Sequence, residues 1–203
     1  QEKAIYSIEK FLVARRLMYW QVYLHKTAVS AESMLVKIIQ RAKERIALGE
    51  HLYSGSASLD FFLSHSVTSP EEYLDPFIRL DDYDVMNALK RWMDHEDKVL
   101  STLSRMLINR QLLKVKLQAE PVDDKMLQTL RAHAIRKLKL TPEESEYFVF
   151  TGENINTTYN PEDEKINILF KDGSVRDISQ VDNALISRSL SSAVKKFYIC
   201  YLA

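Results

Sequence analysis

The sequence predicts an α+β fold: an N-terminal all-helical region led by a long helix, then a small α/β region of the ferredoxin-like split βαβ kind. Three observations predict it. Residues 6–44 contain neither Gly nor Pro, and with Ile5 just before them they carry apolar residues at helical spacing: Ile8, Leu12, Tyr19, Val22, Val29, Leu35, Ile38 and Ile39. From Leu112 the pattern changes to short alternating and β-branched runs. The order that follows is strand, helix, strands, helix, strand, which suits a sheet covered on one face by two helices. A boundary near residues 109–112 divides a helical region, 1–110, from an α+β region, 111–203.

The first run reads as one long amphipathic helix, or two end to end, with Gly49 a stop just past it. Ser54, Gly55, Ser56 and Ser58 mark a turn, and Leu59, Phe61, Phe62 and Leu63 form an apolar patch expected to dock on the long helix. Ser69-Pro70-Glu71-Glu72 is a helix start, with a cap, Pro at the first position and acids in the first turn. Asp81 or Asp82 caps the next helix, with Val85, Leu89 and Trp92 or Met93 on its apolar stripe. Asp94 is the expected cap of another, carried by Val99, Leu100, Leu103, Met106 and Leu107.

Beyond the boundary, residues 112–118 alternate as a strand, and the run from Val122 to Leu140 is a helix with Met126, Leu127, Leu130, Ala134, Ile135 and Leu138 inward. Thr141-Pro142-Glu143-Glu144 makes a short helical turn. Residues 145–160 are strand-like, and residues 165–178 form a hairpin around Lys171-Asp172-Gly173. Ser179 caps a further helix, and residues 195–202 close the chain as a strand.

Composition bounds the function. Of 203 residues 46% are hydrophobic and 28% charged, enough for a core and too ordered in composition for intrinsic disorder. Lys+Arg and Asp+Glu both number 28, so no global field draws the chain to nucleic acid or anionic membrane, and any nucleotide site must be local. Arg131, Arg136, Lys137 and Lys139 crowd one helix end, where cations suit the helix dipole without a nucleic-acid partner. The single Cys200 cannot form an intrachain disulfide and reads as a packed thiol of a reducing, cytoplasmic compartment. No apolar run approaches the roughly 20 residues of a membrane helix. Four glycines leave no Walker or Rossmann signature. The cluster Asp94, His95, Glu96, Asp97 is metal-like in content, but adjacent helical residues point apart, so it reads as a cap and a solvated first turn.

The stretch with chemistry is ARRLMYWQVYLHKT. Arg15, Tyr19, Tyr23 and Lys26 are spaced four, four and three, so on a continuous helix they share one face, with His25 beside Lys26. An Arg fork and a Lys point charge suit phosphate oxygens, and two Tyr suit a sugar or base. The same spacing also fits a helix whose Tyr and Arg merely end at a domain boundary with snorkelling stems.

This stretch resembles the long helix that follows the metal-binding core in HD-domain phosphohydrolases of the deoxynucleoside triphosphate triphosphohydrolase type. The similarity continues more weakly through FIRLDDYDVMNALKRW and LINRQLLKVK. The resemblance implies that Arg15, Tyr19 and Tyr23 face the substrate's triphosphate and sugar, and that His25 and Lys26 lie near a regulatory nucleotide between subunits. It also implies a divalent metal held by a His-Asp dipeptide, another His and a distant Asp. Here His25, His51, His65, His95 and His133 are followed by Lys, Leu, Ser, Glu and Ala, never Asp. The chain is therefore expected to be the C-terminal part of a longer protein whose metal core precedes it, holding no cofactor and not catalytic alone. The expected partners are a nucleotide (dNTP) in the full-length protein and a second copy of the chain, as a dimer or tetramer, with no membrane and no specific nucleic acid. The competing expectation is a non-catalytic oligomerisation or regulatory module, with Trp20, Phe61, Phe62 and Trp92 as interface anchors.

Overall fold

A computed structural model describes residues 2–65, 69–156, 165–181 and 194–203. The chain runs α1 (Glu2–Met18), a π-helical turn (Tyr19–Tyr23), α2 (Lys26–Ala47), α3 (Ala57–Ser64), α4 (Pro70–Ile78), α5 (Asp82–Trp92) and α6 (Lys98–Ile108). It continues with β1 (Lys114–Gln118), α7 (Asp124–Leu138), α8 (Pro142–Ser145), β2 (Phe150–Asn156), β3 (Asn167–Leu169), β4 (Val175–Asp177) and β5 (Val194–Tyr201). The class is α+β, as the residue patterns predict. No helix among the described residues is long and apolar enough to cross a membrane.

Among the described residues the strands make two sheets. One is ordered β1-β5-β2, so β5 lies between the two strands that α7 connects, which is the split arrangement in three-stranded form. The expected hairpin is present but stands apart as its own sheet: β3 and β4 pair antiparallel, Ile168 opposite Arg176. Gly173 takes φ +81° in the connecting turn, and its N–H donates to Phe170 O at 3.1 Å. The expected helix opening at Ser179 runs on through residues 182–191, and the expected strand ends on 157–160; both of these stretches lie outside the described residues. Ser179 itself is in a short 3₁₀ turn, Ile178–Gln180, capped by Asp177, to which the Ser179 amide and hydroxyl donate at 2.9 and 2.5 Å. The Asp177 carboxylate thus caps this turn; the cap expected of Ser179 belongs to the following helix, outside the described residues.

By contacts the chain divides into two units that interleave along the sequence. The first holds residues 1–29, 115–126 and 151–199, the second residues 30–114, 127–150 and 200–203. This is not the division at residues 109–112. In the first unit, Ile5 and Leu12 of α1 share a core with Ile168 of the hairpin and Ile178, so the two ends of the sequence meet in one apolar cluster. Local composition carries no sign of a contact that distant.

In the second unit α5 packs on α6, burying Ala88, Leu89 and Trp92 against Val99, Leu100 and Leu103. Each fully buried Leu or Val contributes about 1.5–3 kcal/mol. Asp81 and Asp84 close a capping box on α5, and Thr141 and Glu144 another on α8. Ser69 precedes Pro70 at the start of α4, as expected, though its hydroxyl makes no cap hydrogen bond. Cys200 is buried, which with a partly offsetting Ser33 hydrogen bond pushes its thiol up to about 11.

The cap of α6 corrects an expectation. It is Asp97, not Asp94, whose side chain accepts from Leu100 N at 2.8 Å; Asp94 lies outside the helix with its side chain 92% exposed. The reason is tertiary. Arg41 of α2 grips both Asp97 oxygens, Nε at 3.1 Å from each and Nη2 at 2.5 Å, and Arg45 Nε lies 3.7 Å away. Arg41 in turn lies over the Tyr147 ring, 5.4 Å from its centroid, and Lys37 is 5.5 Å from the same ring. Burial raises the Tyr147 hydroxyl, assisted by Glu44, to about 12. Burial also pushes the Asp97 carboxyl up, but the Arg41 hydrogen bonds, the Leu100 amide and the two guanidinium charges outweigh it, leaving Asp97 below its ordinary 3.8.

Three helices end on a residue at positive φ followed by a six-to-one hydrogen bond: Gly49 with Glu50 N to Arg45 O, Arg110 with Gln111 N to Met106 O, and Lys139 with Leu140 N to Ile135 O. Glycine suits that place; Arg110 (φ 57°) and Lys139 (φ 51°) are strained there. Lys139→Gly or Arg110→Gly is expected to raise unfolding free energy by about 0.5–1 kcal/mol, measured by urea titration. Asp97→Ala is expected to lower it by roughly 3 kcal/mol, since it removes the more buried of Arg41's carboxylate partners, Glu44 remaining at 3.3 Å, and uncaps α6. Because the folded Asp97 value is depressed, its contribution is complete above pH 3.8 and is lost as pH falls through the lower folded value. Acid titration of the wild type against Asp97→Asn should show the variant losing that part of the pH dependence.

Candidate phosphate-binding site at the helix break

The candidate residues sit where α1 gives way to α2. Leu24 N donates to Tyr19 O at 3.0 Å, a π-type step, and His25 N donates to Val22 O at 3.3 Å. Bulky Tyr19, Trp20, Val22 and Tyr23 are modest helix formers, and that is the one local hint of a break in a run without Gly or Pro. π-turns of this kind occur often at functional sites.

The break redistributes the four-residue stripe. Arg15, in the last turn of α1, is exposed and forms no ion pair among the described residues. Tyr19 and Tyr23 bracket the π-turn with ring centroids 5.7 Å apart and planes tilted by 34°. Tyr19 is half-buried, whereas Tyr23 is 58% exposed, an open aromatic surface beside the packed one. Lys26 belongs to the next helix, so the four residues do not lie along one continuous α-helix. A four-residue spacing keeps one face only on an unbroken α-helix, and the π-turn at Tyr19–Tyr23 interrupts it.

His25 has a role that spacing did not reveal. It is the N-cap of α2: its carbonyl accepts from Val29 N at 3.0 Å and its Nδ1 accepts from Thr27 N at 3.3 Å. An acceptor at Nδ1 leaves the proton of the neutral ring on Nε2, a donor. Lys26 follows at the first helical position, and the first turn of α2 has no acidic residue. The positive end of a 22-residue helix is thus joined by a Lys rather than offset by a carboxylate. Arg15, the Tyr pair, His25 and Lys26 are polar groups within residues 15–26 that can donate to an anion.

A residue not singled out from the sequence as part of the site also reaches the break. Lys196 of β5 holds its Nζ 4.3 Å from the Trp20 ring centroid, inside the π-turn. The two positions are 176 apart, and no periodicity connects them. The other large charge cluster, Arg41, Arg45, Glu50 and Asp97, is internally paired and offers no open cation. Among the described residues no group of three or more His, Cys, Asp or Glu could hold a metal ion.

No protein-family model matches this chain. It is 34% identical over 114 residues to the uncharacterized protein YwfO of Bacillus subtilis, a match covering 56% of this chain and 25% of that protein. Along its whole length it is similar to the crystal structure of a phosphohydrolase from Bacteroides thetaiotaomicron, at 45% identity and TM-score 0.87, covering 51% of that chain. The chain therefore spans a quarter to a half of the length of these proteins.

Removing the His25 side chain is expected to cost about 1 kcal/mol through loss of the cap, and Ser, which caps equally well, should restore it. Thermal unfolding of His25→Ala and His25→Ser measures this; equal midpoints for the two would remove the capping role.

Proposed function

We propose that this chain is the substrate-contacting part of a phosphohydrolase that acts on nucleotides, a deoxynucleoside triphosphate by the resemblance of its ARRLMYWQVYLHKT stretch. The supporting observation is the 45% identity to a phosphohydrolase along the entire chain. The geometry at the helix break is compatible with it. Arg15 presents an exposed guanidinium, whose planar fork matches phosphate oxygens. Tyr19 and Tyr23 offer hydroxyls and one open ring for sugar or base. His25 and Lys26, at the positive start of α2, are the contacts proposed for a second, regulatory nucleotide phosphate.

Phosphoryl transfer spreads charge over the non-bridging oxygens, so positioned donors are most of what such a site must supply. In this reading Arg15 neutralises that charge and the tyrosines hold the phosphate chain and sugar in line. The divalent ion that the resemblance implies does not fit the described residues, which lack a ligand set. The proposal places it, and the attacking water, in the remainder of the longer protein.

A second reading, an oligomerisation or regulatory module, draws on α1. Tyr6, Phe11, Leu17 and Met18 are exposed by 54%, 66%, 53% and 49%, while Ile5 and Leu12 are buried, so apolar side chains stand on more than one side of the helix. Such a helix suits covering by another surface, whether of the same polypeptide or of a second copy in a dimer or tetramer.

Arg15→Ala in the full-length protein is expected to lower turnover of a deoxynucleoside triphosphate by about 10²-fold or more, with little change in melting temperature since the side chain is exposed. Steady-state phosphate release measures it. Near-normal turnover would take Arg15 out of the site and favour the module.

A further inference from the structure

A π-turn is a rare and poorly bonded piece of backbone, and it persists where its surroundings impose it. Two features near this one can do so. Leu24, which makes the π-type hydrogen bond, is buried to 5% exposure. Trp20, in the middle of the turn, lies under the Lys196 ammonium at 4.3 Å.

Lys196 is itself well placed. Side chains alternate along β5, so Lys195 and Lys196 point to opposite faces of the sheet. On one face Lys195 Nζ pairs with Glu153 Oε2 of β2 at 2.6 Å. On the other, Tyr198 lies across Gly152 of β2, so closely that a Cβ there would come within 2.3 Å of its ring. Contacts on both faces therefore anchor β5 to β2 on either side of Lys196. That anchoring passes through the Lys196 ammonium to Trp20 and so to the turn that carries Tyr19 and Tyr23.

We infer that Lys196 is a positioning residue: its cation on the Trp20 ring clamps the π-turn to the sheet and holds Tyr19 and Tyr23 in the geometry that receives a nucleoside polyphosphate. This rests on the reading of Arg15, Tyr19 and Tyr23 given above. In this role Lys196 acts through Trp20 and does not touch the substrate.

The test uses the full-length protein with Lys196→Ala and Lys196→Arg, and two readouts. The first is hydrogen exchange at the Leu24 amide, the π-type donor, with the Ile38 amide of α2 as the control. The second is steady-state turnover of a deoxynucleoside triphosphate. Lys196→Ala is expected to speed Leu24 exchange about tenfold while leaving Ile38 unchanged. It should lower kcat roughly tenfold while changing KM by less than about twofold. Lys196→Arg, which keeps a cation for the indole, should return both toward wild type. Unchanged Leu24 exchange overturns the clamp. A raised KM with unchanged exchange overturns it too, by making Lys196 a direct phosphate contact. If Leu24 loosens but Arg15→Ala leaves turnover intact, the clamp is supported and only the assignment of the substrate site fails.

Discussion

The second unit depends on one charge pair. Arg41 and Asp97 are 56 residues apart, with side chains only 14% and 6% exposed, and three short nitrogen–oxygen contacts join them. Neither group could stay there alone, because an unpaired buried charge costs several kcal/mol. The pair also sets local structure. By holding the Asp97 carboxylate at the start of α6, Arg41 lets it accept from Leu100 N and so determines where that helix begins. α2 and α6 are thereby tied at one point by an interaction that is geometric as well as electrostatic, since only a guanidinium grips both carboxylate oxygens this way.

In the first unit the organising constraint is the break between α1 and α2. An unbroken helix would carry Arg15, Tyr19, Tyr23 and Lys26 as a single stripe. The π-turn instead keeps the two tyrosines as near neighbours and begins a second helix, whose first residues are a His cap and a Lys. The result is two donor groups in sequence: Arg15 with the tyrosines, then the positive start of α2. The proposed division between a substrate phosphate and a second phosphate draws on that separation.

Similarity to a phosphohydrolase over the full length of this chain, but only half of that protein, frames what the site is asked to do. The described residues supply cations, hydroxyls and an open ring, and no cluster of metal ligands. In the proposed reading they bind and orient an anion. The exposed apolar residues of α1 belong in the same picture, because a helix with apolar side chains on several sides has surface left to cover.

Much of the local structure was legible in the residues. Gly49 ends α2, Pro70 opens α4, an Asp at 81 or 82 caps α5 and residues 141–144 make a helical turn, because each is a short-range event between neighbouring residues. The α+β class followed from hydrophobic periods of the same short range. What the sequence could not reveal were contacts between distant positions: Arg41 choosing Asp97 over Asp94 as a cap, β5 inserting between β1 and β2, Ile5 sharing a core with Ile178, and Lys196 reaching Trp20. Arg15, Tyr19, Tyr23, His25 and Lys26 could be named as candidates from their chemistry alone. Their arrangement could not, because the π-turn that separates them is a weak backbone state whose energy is settled by the side chains packed around it.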